Sequence, residues 1–224
     1  MKIVLLDIDD TIFDFYESAK ATILKCCKDF NIEFTDKMIA HYMEQNEFLW
    51  RQFEKKVITR EDIFRKRFPE LFKEYGIDID GIEFEEAFQK YFKTEYKLIE
   101  GAVEIIKYLS EKYDLYIVSN SLIDTQIKRL TAAGIIEYFK DLFVSDIVGY
   151  QKPTKEFFNC CFEKIPDFDN QKTIIIGDSL SSDIKGGYNA GIKTCWFNPK
   201  RKINKTEYKA DYEIASLNEL RNIL

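Results

Sequence analysis

Short apolar runs alternate with helix-period segments from about residue 97 to the end of the chain, and few folds accommodate that rhythm. The runs are Leu115–Val118, Leu142–Val144, Thr173–Ile176 and Thr194–Phe197, and a further run, Ile3–Ile8, opens the chain. Unbroken apolar runs, as opposed to alternating ones, mark strands buried on both faces of a parallel sheet. Between them, Val103, Ile106 and Leu109 share one helical face and Ile123, Ile127 and Leu130 share another. Gly134 stands where a C-cap glycine belongs. Alternation of this kind predicts an α/β fold, a parallel sheet flanked by helices.

Residues 14–96 break the rhythm. Their pattern is helical throughout, over roughly 15–30, 36–54, 59–68 and 82–94. Thr59-Arg60-Glu61-Asp62 has the form of a capping box with Asp as acceptor, and Pro69 and the Gly76–Gly81 stretch punctuate the helices. The expectation is a four-helix segment inserted after the first strand, so that residues 1–14 and 97–224 form one domain and 15–96 another. A chain of 224 residues, 46% of them hydrophobic, can fill one full core and a modest inserted subdomain. The inserted segment is rich in aromatics, mostly at helical spacing suited to packing. One face, Asn46, Leu49/Trp50 and Phe53, also offers a stacking surface and an amide for a base edge. His41 falls in the same helices and is expected to be structural or exposed.

Several chemistries are excluded. The net charge is −6, with 33 basic and 39 acidic residues, which argues against binding of nucleic-acid polymers. No apolar run approaches the roughly eighteen residues of a membrane span, and the N-terminus lacks a signal-peptide layout. A single histidine rules out multi-histidine metal sites. The five cysteines show no CxxC spacing and read as reduced cytoplasmic thiols. Cys195 and Arg201 have the bare C-x5-R spacing of cysteine phosphatases. Trp196, Phe197 and Pro199 leave no glycine-rich cradle there, so Cys195 is assigned to the core. No P-loop motif occurs, and Lys200-Arg201-Lys202 reads as a solvated loop. The working groups must be carboxylates, lysines or hydroxyls.

Such groups stand just after the apolar runs. Asp7 and Asp9 follow the first, Ser119-Asn120 the second, Lys152 the third, and Gly177-Asp178 with Asp183 the fourth. The carboxyl ends of parallel strands face one way, so these groups converge on one crevice. Carboxylates meeting a hydroxyl and a lysine make an oxygen-ligand site that suits Mg²⁺. Asp7 and Asp9 reach one reacting centre if the chain turns sharply after Ile8, one as nucleophile and the other as proton donor. Ser119, Lys152 and the backbone N–H groups of the Asp9-Asp10-Thr11 turn are candidate stabilisers of a phosphoryl group. The chemistry indicated is phosphoryl transfer through an aspartyl phosphate.

Asp7-Ile8-Asp9-Asp10-Thr11-Ile12, Ser119-Asn120, Lys152-Pro153 and Gly177-Asp178-Ser179-Leu180-Ser181-Ser182-Asp183 resemble, in order, the four motifs of the haloacid dehalogenase superfamily. The resemblance implies a Rossmann-like core in which Asp7 attacks phosphorus and Asp9 protonates the leaving oxygen and later activates water. It implies Mg²⁺ on the Asp7 carboxylate, the Asp9 carbonyl and Asp178, with Asp183 supporting from nearby. Ser119 and Lys152 would hold the phosphoryl oxygens, with Asp10, Thr11 and Asn120 beside them. Asp10 stands where the family often has Gly, and its side chain is expected to point away from phosphorus. Asp14 is expected to cap the first inserted helix. The inserted helices resemble the family's C1 cap, hinged near 14–17 and 93–98.

The segments Asn46–Thr59 and Thr194–Asn198 resemble the bacterial pyrimidine 5′-nucleotidase subgroup. That likeness implies hydrolysis of small nucleoside 5′-monophosphates; separately, the protein is expected to be a cytoplasmic monomer or homodimer with no membrane partner. The alternatives are a sugar-phosphate phosphatase or phosphomutase, a true haloacid dehalogenase, and a catalytically silent binding protein on the same fold.

Overall fold

In a computed structural model covering residues 1–224, the apolar runs become neighbours in one parallel sheet. The strands are β1 (Ile3–Leu6), β2 (Asp114–Ser119), β3 (Phe139–Val144), β4 (Thr173–Gly177), β5 (Lys193–Phe197) and β6 (Tyr212–Ile214), in the order β3-β2-β1-β4-β5-β6. β1 is central: Ile3 pairs with Asp114 on one side and Thr173 on the other. All four of its residues are buried, as its unbroken apolar sequence requires. The strand order reverses direction at β1, and beyond the carboxyl ends at such a switch point lies the crevice where open α/β sheets bind ligands.

β1 ends at Leu6, not at Ile8 as the apolar run indicated. The Ile8 carbonyl accepts from the N–H groups of Thr11, Ile12 and Phe13, which closes a tight turn directly after the strand. Within it Asp10 has a φ of 59°, the left-handed region that Gly, Asn and Asp enter most easily. An aspartate therefore fits where the family often carries glycine. The sequence reading missed β6, a three-residue edge strand with two exposed residues and no apolar run to announce it.

The helices are α1 (Phe15–Asp29), α2 (Asp36–Glu54), α3 (Arg60–Tyr75), α4 (Gly81–Phe92), α5 (Ala102–Ser110), α6 (Ile123–Ala132), α7 (Ser145–Val148), α8 (Lys155–Lys164) and α9 (Lys185–Ala190). The capping box at Thr59 and Asp62 forms as anticipated. Pro69, expected to end that helix, lies inside it. A Cβ on Gly81 would stand 2.5 Å from the Pro69 backbone nitrogen, so the start of α4 packs backbone to backbone against the proline. In α6 the inward face differs from the apolar pattern. Ile127 is exposed, whereas Gln126, Arg129 and Leu130 are buried.

The chain divides into two compact units, Met1–Asp14 with Leu98–Leu224, and Phe15–Lys97. In the first, Ile3, Leu5, Val118, Phe143, Phe157, Phe158 and Ile175 form a continuous core against the sheet. Cys195 lies in β5, fully buried, and burial pushes its thiol up to about 12, so it cannot serve as a thiolate nucleophile. All five cysteines are unpaired with one another.

The second unit packs α1–α4 around Phe68, whose ring lies 4.7 Å from Phe84, 4.9 Å from Tyr42 and 5.3 Å from Phe88. A buried ion pair crosses this core. Arg67 Nε and Nη2 each donate to the Glu85 carboxylate at 2.7 Å, and Nη1 donates to Asn46 Oδ1 at 2.9 Å. Asn46 is thus drawn inward, and Leu49 and Phe53 are buried with Ile63. Trp50 meets Phe53 edge-on at 5.6 Å. The face read as a stacking surface is in large part packing. His41 is half-buried, its Nδ1 3.3 Å from the Tyr75 hydroxyl. No helix is long and apolar enough to cross a membrane.

Candidate active site

The strand ends bring Asp7, Lys152 and Asp183 into contact. Lys152 Nζ donates to Asp7 Oδ1 at 2.6 Å, to Asp183 Oδ1 at 2.6 Å and to the Val118 carbonyl at 2.8 Å. An ammonium has three donors, and all three are engaged. As placed, Lys152 steadies carboxylates. Asn120 explains its position: its Oδ1 accepts from the Lys152 N–H at 2.8 Å and its Nδ2 donates to the Lys152 carbonyl at 3.0 Å. The Asn120 amide, expected beside the phosphate, therefore grips the Lys152 backbone.

Asp183 is wholly enclosed. Its second oxygen accepts from the Ser179 N–H at 3.1 Å, so both oxygens already have donors. It approaches β4 so closely that a Cβ on Gly177 would lie 2.2 Å from Asp183 Oδ2, which is why the strand ends in glycine. Thr11 is buried between Asp7 and Asp178. Its hydroxyl donates to Asp7 Oδ2 at 3.4 Å and accepts from the Asp178 N–H at 3.2 Å.

The Asp9–Thr11 turn corrects one expectation. The Asp10 N–H donates to the Phe13 carbonyl at 2.7 Å and the Thr11 N–H to the Ile8 carbonyl at 3.2 Å. Closing the turn uses these donors, so neither Asp10 nor Thr11 presents its N–H to a phosphoryl group here. Ser119 is better placed. Its Oγ accepts from the Ser121 N–H and from Gln126 Nε2, each at 3.2 Å. With both lone pairs engaged, its O–H remains as the donor for an anion.

Asp9 has partners the sequence did not reveal. Arg129 Nη1 donates to Asp9 Oδ1 at 2.6 Å and Gln126 Nε2 donates to Asp9 Oδ2 at 2.9 Å. Both donors come from α6, the helix that follows Ser119-Asn120, and stand one turn apart. That i, i+3 pair of long polar side chains was the available signal. Trp196 was missed as well; its indole Nε1 donates to the Asp178 carbonyl at 2.8 Å.

The site holds more negative than positive charge. Burial drives the Asp7 carboxyl up, to about 8, with Asp183 adding to the rise and Lys152 opposing it. Asp178 is raised well above the ordinary carboxylate range by burial and by Asp10, Asp7 and Asp183, with only Lys152 pulling the other way. Burial alone would lower Lys152, but Asp183 and Asp7 reverse this and hold it firmly protonated. Carboxylate oxygens of Asp7, Asp178 and Asp183 lie within 4.8 Å of one another. Asp183 is fully enclosed, whereas Asp7 is 8% exposed and Asp178 half-buried, so Asp7 and Asp178 are the pair a cation can reach. An all-oxygen, over-negative pair of carboxylates fits Mg²⁺, which takes one or two carboxylates and retains water.

A family model described as haloacid dehalogenase-like hydrolase matches residues 4–197. The chain is 45% identical to YfnB of Bacillus subtilis (strain 168), over 99% of this chain and 94% of that one. It is 33% identical to the pyrimidine 5′-nucleotidase PynA of Streptococcus pneumoniae, over 100% of this chain and 94% of that one. It is 27% identical to the pyrimidine 5′-nucleotidase YjjG of Escherichia coli, over 99% and 96%. A crystal structure of YfnB bound to magnesium, which reveals interdomain movement, matches with a TM-score of 0.95 over 100% of this chain and 98% of that one.

Proposed function

We propose, from the premise that the chain belongs to the haloacid dehalogenase-like hydrolase family, that it is a Mg²⁺-dependent phosphomonoester hydrolase acting through an aspartyl phosphate on Asp7. The observation that carries this reading is the arrangement of Asp7, buried against Lys152 and beside the under-compensated Asp178. Similarity to PynA and YjjG, both pyrimidine 5′-nucleotidases, supports pyrimidine-type nucleoside 5′-monophosphates as substrates. Free thiols are consistent with work in the cytoplasm.

Each group has a part in the reaction. An Asp7 carboxylate oxygen attacks phosphorus, and the bond to the 5′ oxygen breaks. Asp9, which enters this step as the neutral acid, gives that oxygen its proton, so the nucleoside leaves as the alcohol. Asp9, now a carboxylate, takes a proton from the water that attacks the aspartyl phosphate, which returns Asp7 and releases phosphate. Ser119 donates to a phosphoryl oxygen, Lys152 holds Asp7 in place, and Asn120 holds Lys152. The Asp7 and Asp178 carboxylates and the Asp9 carbonyl, with Asp183 behind, would hold Mg²⁺, which would supply positive charge to keep Asp7 ionised and to offset charge on the phosphoryl oxygens. The helical unit, joined to the sheet unit by two chain crossings, is proposed to be the family's cap.

The test is phosphate release from a panel of nucleoside 5′-monophosphates and sugar phosphates, with Mg²⁺ and with EDTA. Mg²⁺-dependent release led by pyrimidine nucleotides supports the whole reading. One observation favours the sugar-phosphate alternative: Asn46, Leu49 and Phe53 are buried in the helical unit and unavailable to stack a base. Release led by a sugar phosphate would confirm that alternative. No release from any ester would overturn the hydrolase mechanism.

Metal binding should also show in stability. Without metal, the folded Asp7 carboxyl sits near 8, above its ordinary value of 3.8, so the folded protein binds more protons than the unfolded chain between those values. That contribution to stability is fully present at low pH and is lost as pH rises through about 8. Mg²⁺ removes the loss by replacing the proton. The gain in Tm on adding Mg²⁺ is therefore larger at pH 8 than at pH 6, which differential scanning calorimetry will measure.

A further inference from the structure

Arg129 is an expensive residue to bury. Its side chain is 0% exposed, and a guanidinium removed from water must be paired. Its carboxylate partner is Asp9, at 2.6 Å, although the two are 120 residues apart in sequence. The guanidinium also lies 4.5 Å from the centre of the Phe13 ring, beneath the turn that carries Asp9. Gln126 completes the arrangement: its Oε1 accepts from Arg129 Nη1 at 3.2 Å, while its Nε2 reaches both Asp9 Oδ2 and Ser119 Oγ.

Two donors on the two oxygens of one carboxylate fix both side-chain torsions. Asp9 needs this, because its side chain is 29% exposed and, left alone, would sample several rotamers. Proton delivery requires the donor and the leaving oxygen to come within about 2.6–3.2 Å. Gln126 further ties Asp9 to Ser119, so the group that meets the leaving oxygen and the group that meets a phosphoryl oxygen share one amide.

We infer that Gln126 and Arg129 are positioning residues that hold the Asp9 carboxyl for proton transfer to the leaving oxygen. The inference rests on the proposed reading of Asp9 as general acid. A purely structural brace would hold the turn equally for every substrate. A positioning role is selective, since only poor leaving groups need the proton.

The experiment compares kcat/KM for a nucleoside 5′-monophosphate, whose alkoxide must be protonated, with that for p-nitrophenyl phosphate, whose leaving group departs as the anion. This ratio reports steps up to departure of the leaving group, so hydrolysis of the aspartyl phosphate does not obscure it. Arg129→Met is expected to lose about 100-fold on the nucleotide and less than about 3-fold on the aryl ester, and Gln126→Met, which also loosens Ser119, to lose at least about 10-fold more on the nucleotide than on the aryl ester. In an Asp9→Asn background, adding Arg129→Met should cost nothing further on the nucleotide. Gln126→Met leaves the Arg129–Asp9 ion pair intact, so it carries the test if Arg129→Met fails to fold.

Equal losses on the two esters, no loss on either, or a further loss in the Asp9→Asn background would overturn the inference. An inactive wild type overturns the proposed function and the inference with it. An active wild type whose Asp9→Asn variant is leaving-group selective while both methionine variants are not overturns the inference alone.

Discussion

The Asp7→Asn protein folds normally and releases phosphate at least ~10⁵-fold more slowly than the wild type, the scale of loss seen when a nucleophile is removed. An amide cannot form the acyl phosphate, and the neighbouring carboxylates are otherwise engaged, Asp178 as the proposed cation ligand. Asp183 is bound on both oxygens, and Asp9 is held by α6. The fold survives because Lys152 keeps Asp183 and the Val118 carbonyl as partners. A neutral group at position 7 also relieves the crowding of acids that raises Asp178. Metal-free Asp7→Asn is therefore at least as heat-stable as metal-free wild type at pH 8. Its stabilisation by Mg²⁺ is smaller, having lost a carboxylate ligand. Phosphate release and calorimetry, each with and without Mg²⁺, check the two halves; residual turnover near the wild-type rate would remove Asp7 from the mechanism.

Glu85→Ala destabilises the helical unit by about 3–5 kcal/mol, the cost of leaving one member of a buried ion pair uncompensated. Arg67 then retains only Asn46 Oδ1 and the surrounding aromatic faces, the nearest being Phe88 at 4.8 Å. Those faces favour a cation but replace neither charge-assisted hydrogen bond to Glu85. Gln89 Nε2, 2.7 Å from Glu85 Oε1, loses its acceptor as well. The double variant Arg67→Met/Glu85→Leu should recover most of the loss, because an apolar pair of similar size fits a core already made of Phe68, Phe84 and Phe88. Urea unfolding followed by circular dichroism at 222 nm measures both. Equal stability of Glu85→Ala and wild type would show that the pair contributes nothing.

Much of this molecule can be read from the sequence, for a reason peculiar to parallel sheets. Strands covered on both faces have unbroken apolar sequences, and the polar residue after each one sits at the edge where ligands bind. Asp7, Ser119 and Asp178 stand out on that ground alone, whereas Lys152 comes eight residues after β3, beyond α7. The same apolar logic fails at α6. It turns Ile127 inward, whereas the helix buries Gln126 and Arg129, whose justification is a carboxylate far away in the chain. Arg67 and Glu85 were unreadable for a similar cause: a charged residue looks exposed until its partner is known. β6 escaped because an edge strand with two exposed residues need not be apolar. The backbone donors of Asp10 and Thr11 were misassigned since sequence alone does not show which donors a tight turn uses internally.

The hydrogen bond from the Trp196 indole to the Asp178 carbonyl has an optical consequence. The chain has two tryptophans, and the other, Trp50, belongs to the helical unit. With Trp50 replaced by Phe, the remaining fluorophore is wired to the backbone of the residue proposed to meet the cation. Its emission is then expected to shift when Mg²⁺ meets Asp178, so occupancy can be followed in real time without substrate, label or coupled assay.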